Sequence, residues 1–83
     1  MNIKQPKDGE YIGLVIQSLG CRRFRVKCSD GNVRVCNIPN RKLPYIRDDY
    51  VVLVESWTIQ SDTKGKIIWV YPKSQAEQLR RLL

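Results

Sequence analysis

The sequence predicts an all-β fold, a small closed barrel of five strands with one short helix at its C-terminal end. Three observations carry that reading. Runs rich in β-branched and aromatic residues recur at short spacing, at 10–19, 23–28, 33–38, 50–55 and 66–71. Gly, Pro, Asn and Asp gather between them, where the chain must turn. Helical periodicity is confined to the tail, where Ala76, Leu79, Leu82 and Leu83 recur with Arg80 and Arg81 between them. A chain of 83 residues holds one core, and 42% hydrophobic residues are too many for a disordered tail.

Residues 1–9 are polar, with Pro6 and Asp8-Gly9, and are expected to form a flexible N-terminal arm. The first strand runs from Glu10 to Leu19, with Gly13 as its expected bend or bulge. Gly20-Cys21-Arg22 makes a short turn. From Arg23 to Cys28 the chain alternates: Phe24, Val26 and Cys28 point to the core, while Arg23, Arg25 and Lys27 point to solvent. Asp30-Gly31 is a hairpin signal. The third strand, Val33 to Ile38, puts Val33 and Val35 on one face and Arg34, Cys36 and Ile38 on the other, and a bend is expected to move part of it across faces. Pro39 and Asn40 end it. Pro44 prevents a regular helix over 40–49, leaving a loop or a single helical turn. The fourth strand runs from Tyr50 to Glu55 and the fifth from Lys66 to Tyr71, stopped by Pro72. Ser74 with Glu77 forms a capping-box pattern. Residues 10–72 therefore form the barrel, and 73–83 a helix packed on it. Five strands with an irregular insert between the third and fourth suggest an OB-fold, with an SH3-like barrel as the alternative.

Between Arg22 and Arg47 stand eight cations, Arg22, Arg23, Arg25, Lys27, Arg34, Arg41, Lys42 and Arg47, against one acid, Asp30. That excess equals the +7 of the whole chain, so the rest balances. Solubility does not require such segregation of sign. Neutralising phosphates does, because each Lys or Arg near a phosphate releases condensed counterions. A nucleic acid is therefore the expected partner. Phe24, Trp69 and Tyr71 are assigned to the core. Tyr45, in the basic loop, and Trp57, just past the fourth strand, are the stacking candidates.

The search for chemistry is negative. The chain has no His, the commonest general base. Asp48-Asp49 is the only adjacent carboxylate pair, and neighbours on an extended chain point to opposite sides. No phosphate-loop or nucleophile motif occurs, so neither catalysis nor a cofactor is expected. Cys21, Cys28 and Cys36 match no zinc spacing, so no metal is expected. Their odd number argues against a disulfide framework and for a reducing compartment, here the cytoplasm. Neither a secretory signal at the N-terminus nor an apolar run long enough for a membrane is present.

The sequence resembles the translation initiation factor 1A family of archaea and eukaryotes, with its bacterial counterpart initiation factor 1. The similarity begins at Asp8-Gly9 and continues through Val15-Ile16 and Leu19-Gly20. It is most specific at Cys28-Ser29-Asp30-Gly31 and Arg34-Val35-Cys36-Asn37-Ile38, and extends to the helix with Ala76 and Leu79. The resemblance implies an S1-like OB-fold domain that binds rRNA of the small ribosomal subunit at the decoding A site. It also implies a monomer that assists initiator tRNA and start-codon selection, alongside an initiation-factor GTPase and the initiator tRNA complex. By position the rRNA face would include Arg22, Arg23, Arg34, Arg41, Lys42 and Tyr45; charge adds Arg25, Lys27 and Arg47. The family's His before Ile is Asn37 here, its loop Trp is Tyr45, and its basic loop is shortened to Asn40-Arg41-Lys42-Leu43-Pro44. Two other readings stay open: a general single-stranded nucleic-acid-binding OB domain, and a protein-interaction module using the C-terminal leucines.

Overall fold

The computed structural model describes residues 3–38, 46–81 and 83. Strands β1 (Glu10–Gly20), β2 (Arg23–Cys28), β3 (Val33–Asn37), β4 (Val51–Ser56) and β5 (Lys64–Val70) are followed by helix α1 (Lys73–Arg80). The strands close into a barrel in the order β1-β2-β3-β5-β4. Every seam is antiparallel except β3–β5, which is parallel and short: Val35 opposes Lys64, Cys36 opposes Gly65, and Asn37 opposes Lys66. This is an all-β OB-fold.

Strand β1 is long because it serves two neighbours. Its first half pairs with β4, Glu10 to Leu14, and its second with β2, Gly13 to Gly20. Gly13 is not a bulge. It is paired on both sides, and a Cβ there would run into the Val26 side chain of the neighbouring strand β2. The register breaks come later, between Val15 and Gln17 and between Ser18 and Gly20, and they bend the strand from one partner to the other.

Two apolar clusters stabilise the fold. Inside the barrel, Val15, Phe24, Val26, Cys28, Cys36, Ile46, Val52, Val54 and Ile67 pack together. The inward faces of β2 and β4 supply most of them by alternation. Outside the barrel, Ile12, Val51, Leu53, Tyr71 and Leu79 form a second cluster, with Ile3, Ala76 and Leu83 packed against it. Strand β4 contributes to both, so Val51 to Val54 are all fully buried and the sequence shows an unbroken apolar run. Helix α1 lays Leu79 on the outer face, and Arg80 Nη2 donates to the Asp49 carbonyl at 2.6 Å. Residues 3–7 lie over the same side, where the Tyr71 hydroxyl donates to the Lys4 carbonyl at 2.6 Å.

Two expectations about this side are corrected. Ser74 is not the helix cap: Pro72 occupies the N-cap, with no side-chain capping bond, and Ser74 lies within the helix. A proline there supplies an extended residue before the first turn but no side-chain oxygen. Trp69 is not core either. It is 42% exposed, with Lys4 Nζ 5.0 Å above its ring. Leu82 lies outside the described residues.

Truncating Leu79 to Ala removes the helix's buried anchor, and urea unfolding should show a loss of about 2–4 kcal/mol. The thiols give an independent check. Burial pushes Cys36 up to about 12 and raises Cys28 as well, whereas Cys21 is exposed. An aromatic disulfide reagent at pH 8 should therefore label Cys21 quickly in the native protein, and Cys28 and Cys36 only on denaturation.

Candidate nucleic-acid interface

The alternation of β2 turns Arg23, Arg25 and Lys27 outward in one row, all exposed. Arg22 extends the row beyond the sheet, at the tip of the β1–β2 hairpin. The turn is tight: Gly20, Cys21 and Arg22 have φ of 78°, 50° and 59°. Two successive left-handed residues match the right-handed twist of a two-residue hairpin, but Asn and Gly usually fill them. A Cys and an Arg in that conformation are strained, and the Arg is thereby held at the outermost point of the barrel. Arg25 Nη1 donates to Gln17 Oε1 at 3.0 Å, which orients it along the face. Among the described residues no carboxylate is ion-paired with Arg22, Arg23 or Lys27.

The row faces outward beside β3 and β5. Arg23 opposes Asn37 and Arg25 opposes Val35 on β3, and Val35 in turn opposes Lys64 on β5. Beyond Lys64 stands Trp57, 45% exposed, its backbone N–H bonded to the Lys64 carbonyl at 3.2 Å. Arg23, Val35, Asn37, Trp57 and Lys64 line a shallow pocket of about 200 Å³. The β1–β2 tip bounds this surface on one side and the β4–β5 loop, with Ile59 78% exposed, on the other. In OB-folds that face, between those two loops, is where oligonucleotides bind. Lys64 is absent from the sequence-derived list because the parallel β3–β5 seam that brings it beside Val35 has no local signature, and Asn37, set opposite Arg23 by the β2–β3 hairpin, is absent because it carries no charge.

Arg34 corrects that list. The β2–β3 register runs without a shift from Arg23–Asn37 to Lys27–Val33, so the expected bend does not form. Arg34 stays on the inward face with Cys36, and Val33 is the exposed residue at 45%. The Arg34 side chain is 2% exposed. Its two terminal nitrogens donate to the Asp30 carboxylate at 2.9 and 2.8 Å, and its Nε donates to the Ser61 carbonyl at 2.5 Å. The guanidinium also lies 4.5 Å from the centre of the Tyr11 ring. A cation so enclosed joins the β2–β3 hairpin to the β4–β5 loop and does not reach a phosphate.

Arg47 is exposed, next to buried Ile46, on the segment tied to β1 by the Asp49 N–H to the Val15 carbonyl at 2.8 Å. Arg41, Lys42 and Tyr45 lie outside the described residues. The described residues contain no cluster of three or more potential metal ligands, and no helix long and apolar enough to cross a membrane.

The Arg34 hydrogen bonds hold the Asp30 carboxyl below the usual carboxylate range, and the Asn32 backbone N–H contributes. A lowered folded-state pKa stabilises the protein above the unfolded value of about 4, and the gain disappears as pH falls through the folded value. Asp30→Asn leaves the buried guanidinium without its carboxylate. Because the Asp30 side chain is still about a quarter exposed, the cost should be about 2 kcal/mol at pH 7, below that of a fully enclosed pair. Urea unfolding at pH 7 and pH 3 should show that the gap between wild type and variant narrows at pH 3.

The family described as Translation initiation factor 1A / IF-1 matches residues 1–82. Translation initiation factor 1A 1 of Haloquadratum walsbyi is 48% identical over 81 residues, spanning 95% of this chain and 83% of that protein. Translation initiation factor 1A of Halobacterium salinarum is 44% identical over 81 residues, covering 95% and 84%. That of Methanococcus maripaludis is 40% identical over 84 residues, covering 95% and 81%. The chain belongs to the translation initiation factor 1A family, and its role lies in translation initiation.

Proposed function

We propose that the protein binds rRNA of the small ribosomal subunit near the decoding A site, and there assists selection of initiator tRNA and the start codon. The observation that carries this reading is the outward row of Arg23, Arg25 and Lys27 continued by Arg22, without a carboxylate ion pair among the described residues, on the face where OB-folds take oligonucleotides. Arginine suits the task, since its planar fork meets two phosphate oxygens at once. Arg47, exposed after β3, is a further candidate contact, and the sequence adds Arg41, Lys42 and Tyr45. A rigid barrel seated on folded rRNA needs no reaction of its own: it acts by occupying a site that tRNA would otherwise enter early. It works as a cytoplasmic monomer, beside an initiation-factor GTPase and the initiator tRNA complex.

Sedimentation with purified small subunits over a range of salt concentrations tests this. Each phosphate contact contributes about 0.7 to 0.9 to the slope of log K against log salt. Replacing Arg22, Arg23 and Lys27 together by Ala should weaken binding and flatten that slope by about two units. Unchanged affinity and slope would reject the proposal. Equal affinity of the wild type for free single-stranded oligonucleotides and for subunits would favour a general single-strand binder instead.

A further inference from the structure

The phosphate-facing row accounts for the cations but not for the pocket beside it. That pocket contains an irregularity. Asn37 Oδ1 is buried and has no hydrogen-bond partner, the only such side-chain atom among the described residues. A buried carbonyl oxygen left unbonded is unfavourable and calls for a reason. Here no bond holds the oxygen in place, so turning the half-buried amide outward into the pocket sacrifices no hydrogen bond. It would gain one there from any N–H that arrives.

The rest of the pocket selects what arrives. At about 200 Å³ it is smaller than the usual small-molecule site of about 300–1,000 Å³, so it suits a single ring system and not a whole nucleotide or a cofactor. Trp57 offers an exposed aromatic plane as one wall, with Val35 as apolar floor. Arg23 and Lys64 stand on opposite sides, on β2 and β5, placed for the phosphates of a strand crossing β3. An aromatic plane, a carboxamide and two flanking cations recognise an unpaired base and its backbone.

We infer that this pocket is a nucleobase site: an unstacked RNA base lies on Trp57 and donates an exocyclic amino N–H to Asn37 Oδ1. The inference rests on the RNA-binding reading above and adds a base contact to a phosphate contact.

The test uses the full chain carrying Trp69→Phe, which leaves Trp57 as its only tryptophan. The probes are two RNA hexamers of equal charge, cytidine and fully abasic. Cytidine hexamer should quench Trp57 fluorescence and bind about tenfold more tightly than the abasic strand. In protein retaining Trp69, so that Trp57 can be replaced, Trp57→Ala should lower affinity for cytidine hexamer about tenfold in a filter assay without changing the salt slope. Asn37→Val removes the unbonded oxygen. It should lower affinity for cytidine hexamer severalfold while the melting temperature stays the same or rises, a combination that a purely structural Asn37 would not give. Abasic hexamer binding as tightly as cytidine hexamer, or Trp57→Ala without effect, overturns the base site. In either case the Arg22, Arg23 and Lys27 variant would still flatten the salt slope if the phosphate reading holds. If that variant leaves the slope unchanged, the reading and the base site fail together.

Discussion

The structure turns on one enclosed cation. Arg34 is held by two bonds to Asp30, one to the Ser61 carbonyl, and the face of Tyr11. Its partners belong to the β2–β3 hairpin, the β4–β5 loop and β1, three segments that it ties together at this end of the barrel. Burying a guanidinium is unfavourable unless its donors are matched, and here the carboxylate neutralises it while the carbonyl takes a further N–H. The Val35 N–H donates to the Thr63 carbonyl at 2.9 Å beside the same contact. The β4–β5 loop is thus fixed against β3, and with it the position of Trp57 relative to Asn37. A buried ion pair at the end of the barrel sets the shape of the outer face, where the remaining cations stand.

The outer face separates two tasks by chemistry. Arg22, Arg23 and Lys27 present charge without a competing acid, which gives affinity that depends on salt and little on sequence. Lys66 is different: its ammonium lies 3.0 Å from Glu55, so it offers the face less free charge than Lys64 does. The strained turn at Cys21 and Arg22 fits this division. A hairpin with Asn-Gly at its tip would be easier to form but would carry no charge there.

Much of this was legible in the sequence. The alternation from Arg23 to Cys28 revealed both a core face and a cationic face, because period two leaves a strand no other arrangement. The run from Val51 to Val54 marked β4, though not that a helix and an N-terminal segment would cover its outer side. Arg34 misled for a physical reason. Its place in the alternation already put it inward with Cys36, but an unpartnered Arg is so rarely buried that charge outweighed pattern. The partner that reverses that preference, Asp30, sits four residues earlier, where it served only as a turn signal. Trp69 misled in the opposite direction, since a residue beside apolar neighbours stays 42% exposed and faces the ammonium of Lys4, not the core. The pocket was invisible for a topological reason: it depends on Val35 and Lys64 meeting across a parallel seam, a contact spanning nearly thirty residues with no local trace.

That parallel seam has a consequence for how the barrel breathes. Every other seam is antiparallel with at least five paired positions, whereas β3–β5 has three. Parallel pairing is slightly weaker per residue as well. When the barrel opens, it opens here, into a curled sheet with β3 and β5 as bare edges and their amides exposed to exchange. A ligand that touches both strands from outside binds the closed form better than the open one. Closure and binding are therefore thermodynamically linked, and whatever tightens one tightens the other by the same factor.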